Sequence, residues 1–264
     1  MTQLEQEKLN KILNDKRSGS TEILLSLNKF LISGSRNRKL IENSLIEAKK
    51  KLSHFAVINN YIITLNNLIV NKDFAKVRNY LNTIENLEVK KFERLFNKIQ
   101  RELPNAKKIL TISRSGTLIQ VFKLWNQRKR NFRIIVSESR PSNEGKAMAK
   151  ELLKAGLKVE MITDSMTAKY IPGIDAAIIG ADAVLKNQNV INKSGSLSLA
   201  ILCRYFKKPF YVLTTKSKQI NKRIYKLIHE NPRHVWNYKH SNLITTNIPF
   251  EEIESKLITK IITD

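Results

Sequence analysis

ILTISRSGTLIQVF (residues 109–122) passes from a β-rich apolar run through a small, hydroxyl-rich turn into a helix-like pattern. The turn is Ser113-Arg114-Ser115-Gly116-Thr117. A strand entering such a turn at a helix start aims backbone N–H groups and the positive end of the helix dipole at one spot, a ready anion site. Gly116 lets backbone approach a ligand closely. A Ser or Thr N-cap with no ligand would leave the same trace. The stretch reads as strand, turn and helix, and its task stays open.

The same texture recurs downstream. KILTI, FRIIVSES, KVEMITD, DAAIIGAD and PFYVLTT are short apolar runs, most of them separated by helix-like stretches over residues 118–127, 144–155 and 197–206. Strands alternating with helices predict right-handed crossovers and a mostly parallel, doubly wound sheet, an α/β fold. Ligands in such sheets bind beyond the carboxyl ends of the strands. Those ends carry Ser113 to Gly116, Glu138 to Pro141, Asp164-Ser165, Gly180-Ala181-Asp182 and Thr214 to Lys218.

Upstream, residues 1 to about 103 read as helices only. Ile23, Leu24, Leu27, Phe30 and Leu31 lie on one helical face. A Ser-Gly-Ser-Arg break over 33–36 precedes a longer helical pattern from 39 to about 70. A third pattern runs from Asp73, a natural N-cap, to about 101, and Pro104-Asn105 ends the helical half. The expected organisation is a helical domain over 1–103 and a sheet domain over 104–264.

Composition narrows the function classes. The 264 residues suffice for a sizeable core. No apolar run approaches the roughly 18 residues of a membrane span, and the N-terminal residues lack a secretion-signal pattern, so a cytoplasmic protein without a membrane partner is expected. One cysteine, Cys203, leaves no internal disulfide and reads as a core residue. The histidines lack ligand spacing and no P-loop occurs, so neither metal nor cofactor is expected. A net charge of +24 fits an acidic partner such as RNA, but the lysines are scattered and accompanied by many Asn and Ile, as in an AT-rich genome.

Three segments concentrate chemistry beyond the opening turn. ESRPSNEGK offers Arg140, whose guanidinium suits two-pronged phosphate contact, and Glu144 at a helix start. In IIGADAVLKNQNVINKSGS, Asp182 ends an apolar strand, where poor solvation would raise a carboxyl pKa toward acid–base use. The chain then returns through a turn to Asn192 and Lys193 at another small-residue helix start. Each segment also has a plain structural reading, as a cap, a brace or a solvated charge.

In their order and spacing, ILTISRSGTLIQVF, VSESRPSNEGKAMAKELLKAGLKV, ITDSM, DAAIIGADAVLKNQNVINKSGSLSLAILCR and KPFYVLTTKSK resemble one family. It unites the alpha, beta and delta regulatory subunits of initiation factor two-B with methylthioribose-1-phosphate isomerase and archaeal ribose-1,5-bisphosphate isomerase. The resemblance is closest in type to the archaeal initiation-factor-like proteins. It covers residues 105–220 well and NLITTNIPFEEIESKLITKIITD more loosely. It implies a helical N-terminal domain, a Rossmann-like C-terminal domain and a homodimer or higher oligomer. In the isomerases a cysteine after the first strand and the aspartate of the G-A-D motif move protons between sugar carbons. Asp182 matches that aspartate, and Ser113 stands at the cysteine position, where a hydroxyl is far less acidic than a thiol.

Asn192, Lys193 and Lys218 match substrate-binding positions, and Arg140 sits in the family's Arg-Pro turn. Arg114, Ser115 and Gly116 are expected to hold phosphate with Glu144 nearby. The isomerases' Arg-Gly-Ala phosphate motif is replaced by Ser18-Gly19-Ser20 with Arg17 one residue early, a form closer to the initiation-factor subunits. Beside a nucleic-acid-binding protein on this scaffold, suggested by charge alone, two readings follow. One is a regulatory-subunit-like protein binding a phosphorylated ribose compound or nucleotide, with a translation factor or RNA as a further contact. The other is a sugar-phosphate aldose–ketose isomerase using Asp182.

Overall fold

A computed structural model describes residues 1–15, 18–53, 55–71, 73–128, 132–221 and 228–264. They form two compact units, Met1–Phe92 and Glu93–Asp264. The first is helical. It contains α1 (Gln3–Leu13), α2 (Ser20–Ser33), α3 (Arg38–Leu52), α4 (Ala56–Val70) and the larger part of α5 (Phe74–Glu102). Its core joins Leu9, Leu24, Leu27, Ile41, Leu45, Ile58, Leu65 and Leu81, the inward stripes of these helices. Asp73 caps α5 through a 2.9 Å bond from the Lys76 N–H.

The helical pattern expected to run unbroken from 39 to about 70 is two helices. A straight helix of that length would reach about 48 Å, too long for both of its apolar stretches to enter one small core. The chain instead breaks after Leu52 and packs α4 back against α3. His54 lies outside the described residues.

The second unit is built on β1 (Lys108–Thr111), α6 (Gly116–Arg128), β2 (Arg133–Ser137), α7 (Glu144–Lys154), β3 (Lys158–Ile162), a short α8 (Thr167–Tyr170) and β4 (Ala176–Ile179). It continues through β5 (Ala183–Val184), β6 (Val190–Lys193), α9 (Ser196–Tyr205), β7 (Phe210–Thr214), β8 (Phe250–Ile253) and β9 (Lys260–Thr263). Six strands form one sheet in the order β3-β2-β1-β4-β7-β9, with every pairing parallel. In order along the chain this is 3-2-1-4-5-6, the doubly wound dinucleotide-fold order. The central strands β4 and β7 are buried throughout, as sheets covered on both faces require. The edge strand β3 instead exposes Lys158.

A smaller antiparallel sheet, β5-β6-β8, stands beside it. The turn over 185–189 makes β5 and β6 a hairpin, as the Lys-Asn-Gln-Asn run predicts. Cys203 is fully buried in α9, where desolvation pushes its thiol up to about 12. Among the described residues no helix is long and apolar enough to cross a membrane.

Gly145, in the first turn of α7, sits so close to β2 that an added Cβ would fall 1.8 Å from the Ser137 carbonyl oxygen. Gly145→Ala should therefore lower stability by about 3 kcal/mol, read as a drop in the denaturation midpoint, because helix or strand must move. The Cys203 thiol should react with a thiol reagent at pH 8 only under unfolding conditions; rapid labelling of native protein would contradict its burial.

Candidate functional site

The sheet order reverses direction at β1 and β4, which lie side by side with Leu110 level with Ala177. The turns leaving these strands, Ser113 to Gly116 and Gly180 to Asp182, emerge from adjacent strand ends. A Cβ on Gly180 would stand 2.6 Å from Ser115 Oγ, so the two turns are in contact and glycine is what permits it. This is the topological switch point, where such sheets bind ligands. The turns after β1 and β2 and the end of β6 lead directly to the N-termini of α6, α7 and α9. Each of these helices directs the positive end of its dipole toward the carboxyl edge of the sheet.

Two serines there hold left-handed backbone, Ser113 with φ 60° and Ser139 with φ 61°. Such conformations in non-glycine residues cost roughly 1–3 kcal/mol and persist only where surrounding bonds impose them. The bonds are present. The Ser113 N–H donates to Ser139 Oγ at 2.7 Å, and the Ser139 hydroxyl donates to the Ser137 carbonyl at 3.2 Å. Asp164, after β3, accepts from the Ser139 N–H at 2.9 Å, from the Arg140 N–H at 2.7 Å and from the Ser137 hydroxyl.

The left-handed turn aims the Ser113 hydroxyl at the Glu144 carboxylate, to which it donates. The other oxygen of Glu144 meets Lys193 Nζ at 2.9 Å, and that ammonium also lies 4.3 Å from the centroid of the Phe250 ring. Ser113, Glu144 and Lys193 thus form one chain linking β1, α7 and β6. The two charged side chains are 26% and 24% exposed, so the pair is partly desolvated and more strongly coupled than a surface pair.

The remaining candidates divide. Asp182 is half-buried, and its N–H donates to the Ile191 carbonyl at 2.8 Å. Lys218 is buried, with Nζ donating to the Ala181 carbonyl at 2.5 Å, so it stands beside Asp182. Asn192 is buried and donates to Ser196 Oγ at 2.8 Å. Ser115 caps α6, its Oγ accepting from the Leu118 N–H at 3.4 Å, and Gly116 opens that helix. Arg114 turns to Glu151 of α7 at 2.6 Å, bracing the turn against the helix. Arg140 donates its backbone N–H at the site, but its exposed side chain reaches the Val235 carbonyl at 3.4 Å. Gly19 and Ser20 start α2 in the first unit, and Arg17 lies outside the described residues.

Asp164 organises the β2 turn, and two contributors were not singled out from the sequence: Phe250, and Glu251, which accepts the Leu197 N–H at the start of α9 at 2.8 Å. Asp164 was visible as a strand-end acid. Phe250 and Glu251 reach the site only because β8 pairs with β6. Among the described residues no cluster of His, Cys, Asp and Glu could hold a metal ion.

The family model described as "Initiation factor 2 subunit family" matches residues 12–264. A translation initiation factor eIF-2B subunit 2-like protein of Pyrococcus abyssi is 31% identical over 164 residues, 59% of this chain and 55% of its own length. A methylthioribose-1-phosphate isomerase of Schizosaccharomyces japonicus is 40% identical over 104 residues, 39% of this chain and 29% of its own. The matched stretches thus span about half or less of these relatives. The crystal structure of a Pyrococcus horikoshii translation initiation factor eIF-2B aligns with a TM-score of 0.81 at 22% identity, over 99% of this chain and 95% of the other.

Glu144→Ala strands the Ser113 hydroxyl and the Lys193 ammonium and should cost about 1–2 kcal/mol of stability, whereas Glu144→Gln, which keeps an acceptor for Ser113, should cost about half of that. Denaturant midpoints of both variants check the order, and equal losses would contradict the role of the Ser113 bond.

Proposed function

The chain belongs to the Initiation factor 2 subunit family, and on that premise we propose that it is a regulatory-subunit-like protein that binds a phosphorylated ribose compound or nucleotide at the strand ends of its second unit. The observation that carries this reading is the mixture of charges at one edge of the sheet. Lys193 and Lys218 lie there with the carboxylates of Glu144 and Asp182 and with three helix N-termini. Ammonium groups and helix N-termini suit phosphate. Carboxylates repel phosphate and accept hydrogen bonds from sugar hydroxyls. A site holding both suits a ligand that carries both groups.

Ser113 weighs toward binding without turnover. An isomerase of this kind must take a proton from one sugar carbon and return it to the next, which calls for groups that ionise near neutral pH. The hydroxyl at position 113 is far from that range and already donates its proton in a bond to Glu144. The isomerase reading rests on Asp182, retained at the end of β4 with Lys218 beside it, and on the stretch shared with a protein named as an isomerase.

Thermal shift with ribose-1,5-bisphosphate, methylthioribose-1-phosphate and adenosine monophosphate, against inorganic phosphate as control, tests the binding claim. At one hundred times Kd a ligand stabilises by about 2.7 kcal/mol, a rise of several degrees in Tm. Lys193→Ala should weaken the responding compound about tenfold or more. No response to any phosphorylated ribose compound would overturn the proposal. Assays with the same two sugar phosphates should show no turnover; turnover abolished by Asp182→Asn would establish the isomerase reading in its place.

A further inference from the structure

We propose that the segment from Asn231 to Phe250 carries a platform for single-stranded RNA, on exposed rings at 236, 238 and 240 that take no part in the strand-end site. It reads NPRHVWNYKHSNLITTNIPF, twenty residues with no Asp or Glu, in which Arg233 and Lys239 flank and intersperse Trp236, Tyr238 and His240. The loop is tied at its foot. Asn247 Nδ2 donates to the Asn231 carbonyl at 3.1 Å, the Glu230 N–H donates to the Asn247 carbonyl at 3.0 Å, and Arg140 holds Val235 from the β2 turn.

On this closed loop the alternate residues 236, 238 and 240 form a ladder of near-parallel rings. Trp236 and Tyr238 stack at 4.9 Å with planes 22° apart, and Tyr238 and His240 at 6.5 Å with planes 8° apart. Trp236 is 58% and Tyr238 53% exposed. Large rings left this open in a folded chain forgo burial worth a few kcal/mol each, so their position needs a partner or a reason. A nucleobase meets what the ladder offers. It stacks on a ring face whatever its sequence, while the flanking Arg233 and Lys239 answer the phosphates. The chain's charge of +24 supplies the long-range attraction. A duplex hides its base faces and would gain only the electrostatic part.

The two tryptophans make the test direct, because Trp125 is 1% exposed in the core and Trp236 is the accessible one. Titration of the full chain with a fluorescein-labelled 15-residue oligouridylate or oligoadenylate at physiological salt should saturate in anisotropy and quench tryptophan emission. Trp236→Ala and Tyr238→Ala should each weaken binding about tenfold with an unchanged melting temperature, and Trp236→Phe should stay within about threefold of wild type. Arg233→Ala should make the slope of log K against log salt shallower by about 0.7. The proposal is overturned if both alanine variants bind within twofold of wild type, or if duplex RNA of equal length binds as tightly. It is overturned equally if the wild type binds no oligonucleotide; self-association in sedimentation through Trp236 would then give the ladder to a second copy of the chain.

Discussion

One constraint governs this molecule, the reversal of strand order between β1 and β4. In a parallel sheet each strand returns to the same edge, so every turn after a strand faces the same side. At the reversal the chain leaves the two neighbouring strands in opposite directions, and a cleft opens that no crossover covers. Gly180 admits Ser115 into that cleft, and the turns of β2, β3 and β6 close around it. The backbone arrangement therefore precedes the chemistry: residues from positions 113 to 218 lie at one edge of the sheet because of strand order, not proximity in sequence.

Within that frame Glu144 ties the β1 turn to the small second sheet. It accepts from a serine on one strand turn and pairs with a lysine from the small second sheet. The left-handed serine at 113 is the strained member, and Asp164 and Ser139 hold it there. These bonds fix the donors and acceptors of the strand-end turns relative to one another.

Much of the sheet could be read in advance because β1, β2, β4 and β7 are buried apolar runs, and burial is what periodicity reports. The strands β8 and β9 were less legible. FEEI and KIIT carry charge, since one lies in a half-covered sheet and the other on an edge where polar residues are required. The division of α3 from α4 has no glycine or proline to mark it. Asp182, Asn192, Lys193 and Lys218 announced themselves as polar residues at strand or helix ends. The bond from Ser113 to Glu144 did not, because it spans 31 positions and depends on a positive φ at a serine, which no local pattern encodes.

The position of β9 carries a consequence for how the second unit assembles. It pairs with β7 across some fifty residues, and Lys98 near the end of α5 reaches the Thr263 carbonyl at 2.6 Å, a separation of 165 positions. Closing loops of that length costs entropy before any bond compensates it. Strands closer in sequence pair at smaller entropic cost, so β9 is expected to join the sheet after them. A folding chain must then hold an almost finished sheet with β7 still an open edge, and in that interval unwanted pairing with another copy competes with completion.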